Sequence, residues 1–110
     1  VNEHVRNGLE AGGFEIPVFG SFNEPMDPVV ANIDTASLIA AIRTLTKHRD
    51  LDAVFVSCTS IRLIHAVEEL EAELGLSITS SNHAMAWHAL RLAGVDEQIE
   101  KMGRLFELGL

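Results

Sequence analysis

The stretch Asp52-Ala53-Val54-Phe55-Val56-Ser57-Cys58-Thr59-Ser60 decides the architecture. Ala53 to Val56 is a short apolar run rich in β-branched and aromatic side chains, as a parallel strand covered on both faces requires. Beyond it the period changes. Ile61, Ile64, Val67 and Leu70 recur at helical spacing with Leu63 and Leu74 beside them, Glu68, Glu69, Glu71 and Glu73 take the other face, and Gly75 stops the run. The spacing predicts a helix from Ser60 to Gly75, followed by a strand over Leu76 to Thr79. Cys58 then falls just past the carboxy end of the first strand.

The flanking sequence continues this alternation. Upstream, Leu38, Ile39, Ile42 and Leu45 form the stripe of a helix capped by Asp34 or Thr35 and closed by the polar run Lys47 to Asp50. Gly20 to Asn32 has no clear periodicity and reads as a long loop. Phe14, Ile16 and Val18 alternate with Glu15 and Pro17, an edge-strand pattern, since proline offers no ladder N–H. Val1, Val5 and Leu9 predict a first helix ended by Gly12-Gly13. Downstream, Ser80-Ser81-Asn82 caps a helix through Met85, Ala86, Ala89, Leu90 and Ala93 to Gly94, and Ile99, Met102 and Phe106 mark a last amphipathic piece. Helices alternating with strands imply one α/β domain over residues 1–110, built on a parallel sheet with helices on both faces. Ligands of such sheets bind outside the carboxy ends of the strands. Cys58-Thr59-Ser60 and Ser80-Ser81-Asn82 would share that rim.

Composition excludes several function classes. With 110 residues, 47% of them hydrophobic, the chain can bury one core. Eight basic against 16 acidic residues give a net charge of −8, a field that repels nucleic acid. No apolar run approaches the ~20 residues of a membrane span, so no membrane partner and a cytoplasmic location are expected. The single cysteine cannot form an internal disulfide and leaves no cysteine-based zinc cluster. His83 and His88 lie about 140° apart around a helix, His65 suits a core or boundary place, and His4 and His48 suit the surface. Neither a metal nor a cofactor is expected, and no glycine-rich phosphate motif occurs.

Cys58 carries the chemistry in this reading. A thiol where a strand gives way to a helix faces unpaired N–H groups and a positive dipole end, which favour the thiolate that moves protons or attacks carbon. A free cysteine also packs as a small hydrophobe, so the residue by itself leaves a structural role open. Thr59 and Ser60, with Ser57 beside them, could hold a substrate carboxylate at the helix start, or Thr59 and Ser60 could simply cap the helix. Ser80, Ser81 and Asn82 present the same choice. Arg62 could raise the local positive potential or pair with nearby acids, and Trp87 with Met85 could be core or pocket wall.

Three runs of residues resemble one family: Asp52 to Leu63, Glu68-Glu69-Leu70-Glu71-Ala72-Glu73-Leu74-Gly75, and Thr79-Ser80-Ser81-Asn82-His83-Ala84-Met85-Ala86-Trp87-His88. They are similar to the maleate isomerase and arylmalonate decarboxylase branch of the Asp/Glu racemase superfamily, and within it to the ectoine-utilisation proteins. The likeness is specific from Asp52 to Gly94 and continuous from Val1. It implies a flavodoxin-like three-layer sandwich and an enzyme of two similar halves facing each other across a small carboxylate substrate. Residues 1–110 would be the carboxy-terminal half, lacking a first strand expected just before Val1. Racemases and maleate isomerases of the superfamily place a cysteine on each half. The decarboxylases keep the carboxy-half cysteine, which reprotonates the intermediate left when carbon dioxide departs.

The Ser-Cys-Thr motif of that half matches Ser57-Cys58-Thr59, so the resemblance implies that Cys58 is the acid/base thiol and that Thr59 helps bind a carboxylate. Where the maleate isomerase branch often carries Asp-Asn, this chain has Asp27-Pro28, and proline cannot supply an amide contact. The expected activity is therefore cofactor-independent isomerisation, racemisation or decarboxylation at the carbon beside a carboxylate. The 110 residues alone are expected to be inactive, lacking the opposing half of the crevice, and to self-associate through an exposed sheet edge as a homo-oligomer. Two rivals remain: a non-catalytic acid-binding domain with a structural cysteine, and a cysteine hydrolase needing a histidine base that no spacing assures.

Overall fold

Two short strands pair in parallel at the centre of the computed structural model, which describes residues 2–110. β1 is Ala53–Val56 and β2 is Ser77–Ser80, in the register Ala53↔Ser77, Val54↔Ile78, Phe55↔Thr79 and Val56↔Ser80. Around them lie α1 (Asn2–Ala11), α2 (Asp27–Val30), α3 (Thr35–Thr46), α4 (Val67–Leu74) and α5 (Ser81–Leu92). Two 3-10 turns, Ile64–Ala66 and Arg104–Glu107, complete the described elements. The chain thus has the expected α/β class and parallel sheet.

Local chemistry explains the boundaries. Asp34 caps α3 by accepting the Ser37 N–H on its Oδ1 at 2.7 Å, which holds its carboxyl below the usual value. Gly75 ends α4 in the left-handed conformation, φ +69°, that glycine adopts without a side-chain penalty. α3 and α4 cover the Ile78 side of the sheet. There Ile42, Leu63, Ala66, Val67, Leu70 and Ile78 form the main core, each large aliphatic side chain contributing about 2 kcal/mol by leaving water. α5 lies on the Thr79 side, where the Thr79 hydroxyl meets His83.

Several expectations change. Phe14 to Val18 forms no ladder with β1 or β2; Pro17 has no N–H to give, and the Ile16 carbonyl meets Arg6 Nη2 at 3.4 Å. The loop from Gly20 to Asn32 contains one helical turn, α2, with Pro28 in the first turn, where a missing N–H costs nothing. β1 is not covered on both faces, since Ala53 and Phe55 are exposed. Val1 of the first predicted helix lies outside the described residues.

The helix expected from Ser60 begins only at Ile64 as a 3-10 turn and becomes α4 at Val67. Ile61 and Leu63 are the reason. Both are buried and two residues apart, Ile61 against Val30 and Leu38, Leu63 in the main core, with Arg62 exposed between them. The segment therefore runs from one cluster to the other before the helical turns start at Ile64. On α5 the predicted stripe also fails: Met85, Ala86 and Ala89 are exposed, and the buried residues are His83 and Arg91. Of the last apolar set, Phe106 is buried and Ile99 exposed, in a segment with a 3-10 turn and no α-helix.

Candidate active site at the sheet rim

The pairing of Val56 with Ser80 brings the two strand ends side by side, so Ser57-Cys58 and Ser81-Asn82 leave the sheet together. Cys58 is half-buried. Beneath it lies the small apolar cluster of Val30, Leu38 and Ile61, with Ile33 and Val56 at its margin. The chain then turns at Thr59 and Ser60, and the Ser60 N–H donates to Cys58 Sγ at 3.4 Å. From the other strand end, Asn82 Nδ2 donates to the Thr59 carbonyl at 2.8 Å. Ser57 and Thr59 are exposed and Ser60 half-buried. Ser57, Cys58, Thr59, Ser60 and Asn82 therefore gather on one rim.

The electrostatic setting differs from expectation. α4 starts at Val67, so its first-turn amides are not the groups at the thiol, and the amide that reaches the sulfur is that of Ser60. Arg62 donates from Nη2 to the Ala31 carbonyl at 3.0 Å, which ties the arm after the turn to the end of α2. Among the described residues no three His, Cys, Asp or Glu side chains converge as a metal site, and no helix is long and apolar enough to cross a membrane. Two shallow depressions lie elsewhere. One is lined by Thr79, Met85, Trp87 and His88 with Leu105 and Leu110, so Trp87 and Met85 are wall residues; the other lies by Glu71 and Arg104.

Sequence reasoning missed a set of buried polar residues behind the rim. Glu71 accepts the Ile78 N–H on Oε1 at 3.0 Å and the Arg104 N–H on Oε2 at 2.8 Å. His83 Nε2 lies 2.7 Å from the Met102 carbonyl, which can only accept; that nitrogen therefore carries the proton, and the Thr79 hydroxyl donates to Nδ1 at 3.0 Å. Phe106 packs on the same ring at 4.9 Å between centroids. Arg91 donates to the carbonyls of Leu108, Val95, Glu97 and Phe106. A cue existed for Glu71: it follows Val67 by four and Leu70 by one, on the apolar stripe itself.

The family model described as arylmalonate decarboxylase matches residues 1–106. Arylmalonate decarboxylase of Bordetella bronchiseptica is 35% identical over 80 residues, covering 71% of this chain and 33% of that protein. A solved structure of a glycine-to-cysteine mutant of arylmalonate decarboxylase, in its sulfate-associated form, matches with a TM-score of 0.83 at 29% identity. That match covers 97% of this chain and 47% of the other, and it carries the flavodoxin-like fold expected from the sequence. The chain thus spans a third to a half of the length of these relatives.

Proposed function

The chain belongs to the arylmalonate decarboxylase family, and from that membership we propose that it supplies the carboxy-terminal half of a cofactor-independent decarboxylase, with Cys58 as the proton donor. The substrate class is a small malonate-type diacid. One carboxylate leaves as carbon dioxide, and the electron pair of the broken C–C bond passes to the α-carbon and the remaining carboxylate as an enediolate. The Cys58 S–H then gives its proton to that carbon, and the thiolate is reprotonated from solvent. Hydroxyls of Ser57, Thr59 and Ser60, with the second N–H of Asn82, are the donors this half offers to a carboxylate.

The observation that carries the proposal is the place of the sulfur: half-exposed at the carboxy rim of a parallel sheet, on an apolar floor, with one amide directed at it. Decarboxylation is preferred to maleate isomerisation because Pro28 follows Asp27 and because the relatives are decarboxylases. The test is turnover of a phenylmalonate-type diacid by the full-length enzyme in D2O. Carbon dioxide release with one deuterium at the α-carbon is expected, and Cys58→Ser should lower kcat at least about a hundredfold. Turnover by Cys58→Ser at the wild-type rate would sink the proposal and leave the non-catalytic acid-binding reading.

A further inference from the structure

Two hydrogen bonds at the thiol turn share one peptide group. Asn82 Nδ2 donates to the Thr59 carbonyl at 2.8 Å, and the N–H of the next residue, Ser60, donates to Cys58 Sγ at 3.4 Å. No peptide bond among the described residues is cis, so this C=O and this N–H point in opposite directions within one plane. Holding the oxygen toward Asn82 therefore holds the N–H toward the sulfur. Donation to the oxygen also strengthens the N–H as a donor, because hydrogen bonds in series polarise one another.

We infer that Asn82 is a positioning residue for the thiol: through the Thr59–Ser60 peptide it keeps an amide on Cys58 Sγ and so stabilises the sulfur once its proton has gone. The inference rests on the reading of Cys58 as the reacting group. The other surroundings leave this amide prominent. The cluster packed under Cys58 from α2, α3, β1 and the following arm is apolar, comprising Val30, Ile33, Leu38, Val56 and Ile61, while the Arg62 guanidinium is engaged by the Ala31 carbonyl. Asn82 is also separable from helix capping. Ser80 is the N-cap of α5, accepting the His83 N–H at 3.3 Å, so a substitution at Asn82 leaves that bond in place.

The single cysteine of the 110-residue chain makes iodoacetamide alkylation report on Cys58 alone. The rate is measured against pH for the wild type, Asn82→Leu, Asn82→Asp and Asn82→Gln, with circular dichroism and thermal melting confirming the fold of each. Asn82→Leu, which removes the donor without adding charge, should move the pH of half-maximal rate upward by roughly half a unit to one unit. Asn82→Asp should move it at least as far, and Asn82→Gln, which keeps an amide, should recover part of the shift. An Asn82→Leu protein titrating with the wild type overturns the inference. So does a shift confined to Asn82→Asp, since added charge would then be the cause. Failure of the underlying reading looks different: Cys58→Ser would retain turnover in the full-length enzyme whatever the Asn82 variants do.

Discussion

Glu71, His83 and Arg91 direct their polar atoms at the backbone of the carboxy-terminal tail, whereas Ser57 and Thr59 keep theirs exposed at the sheet rim. Both regions draw on α5, which supplies His83 and Arg91 to the first and Asn82 to the second. Behind the sheet, every buried side-chain nitrogen and oxygen among the described residues has a hydrogen-bond partner. A group so engaged stabilises the fold and has nothing left for a ligand. At the rim the reverse holds: exposed hydroxyls contribute little to stability and remain available. On the proposed function, the contrast separates residues whose loss destabilises the domain from residues whose loss weakens ligand binding while leaving the fold intact.

The sharpest way to break this contrast is Gly103→Ala. Gly103 has φ +76° and ψ −177°, a region that essentially only glycine occupies, and a Cβ there would run into Val67 Cγ1 and lie 2.8 Å from Glu71 Oε2. Backbone strain and overpacking together should cost about 3 kcal/mol, read as a lower midpoint in urea denaturation, and an unchanged midpoint would contradict the close approach of Val67 and Glu71 to Gly103. Thr59→Val examines the other side. It should alter stability by less than about 0.5 kcal/mol yet raise the inhibition constant of a malonate-type dicarboxylate about fivefold, as loss of one hydrogen bond would.

The smallest effect lies in neither region and calibrates both. Arg43 forms a bidentate pair with Glu73 across the α3–α4 surface at 2.8 and 2.7 Å, and its hydrogen bonds hold the Glu73 carboxyl below the ordinary 4.5. A carboxyl depressed in the folded state stabilises above its unfolded value, and that contribution disappears as pH falls through the lower folded value. Glu73→Gln should therefore lower the melting temperature slightly at pH 7, with the difference closing below pH 4.5 and also in high salt, because both side chains are exposed. A difference that grew on acidification would contradict the pairing.

The sheet and the rim were legible because short-range pattern determines them. Ala53 to Val56 could hardly be anything but a strand, and the residues just past its end and past β2 had to emerge together once the strands were parallel. The start of α4 was not legible, because Ile61 and Leu63 fit a helical stripe and a non-helical arm equally well; only the position of α2, which brings Val30 to Ile61, decides between them. Phe14 to Val18 shows the same limit, since an alternating pattern makes a strand only where a neighbour supplies the ladder. The outward-facing stripe of α5 misled because alanine and methionine tolerate exposure, while the buried face of that helix is polar. Asn82 was visible as a rim residue, but its bond to Thr59 depends on strand register, which no local pattern encodes.

α1 buries no side chain, and its ties to the rest of the chain are surface bonds such as Asn2 Nδ2 to Ser21 Oγ and Arg6 Nη2 to Ile16 O. Ten residues are too few for a helix to persist in water on its own hydrogen bonds. Its opening is consequently decoupled from the melting of the core. Amide protons from Asn2 to Ala11 would exchange through local fraying, and a protease would reach this segment while β1, β2 and the thiol turn remain folded.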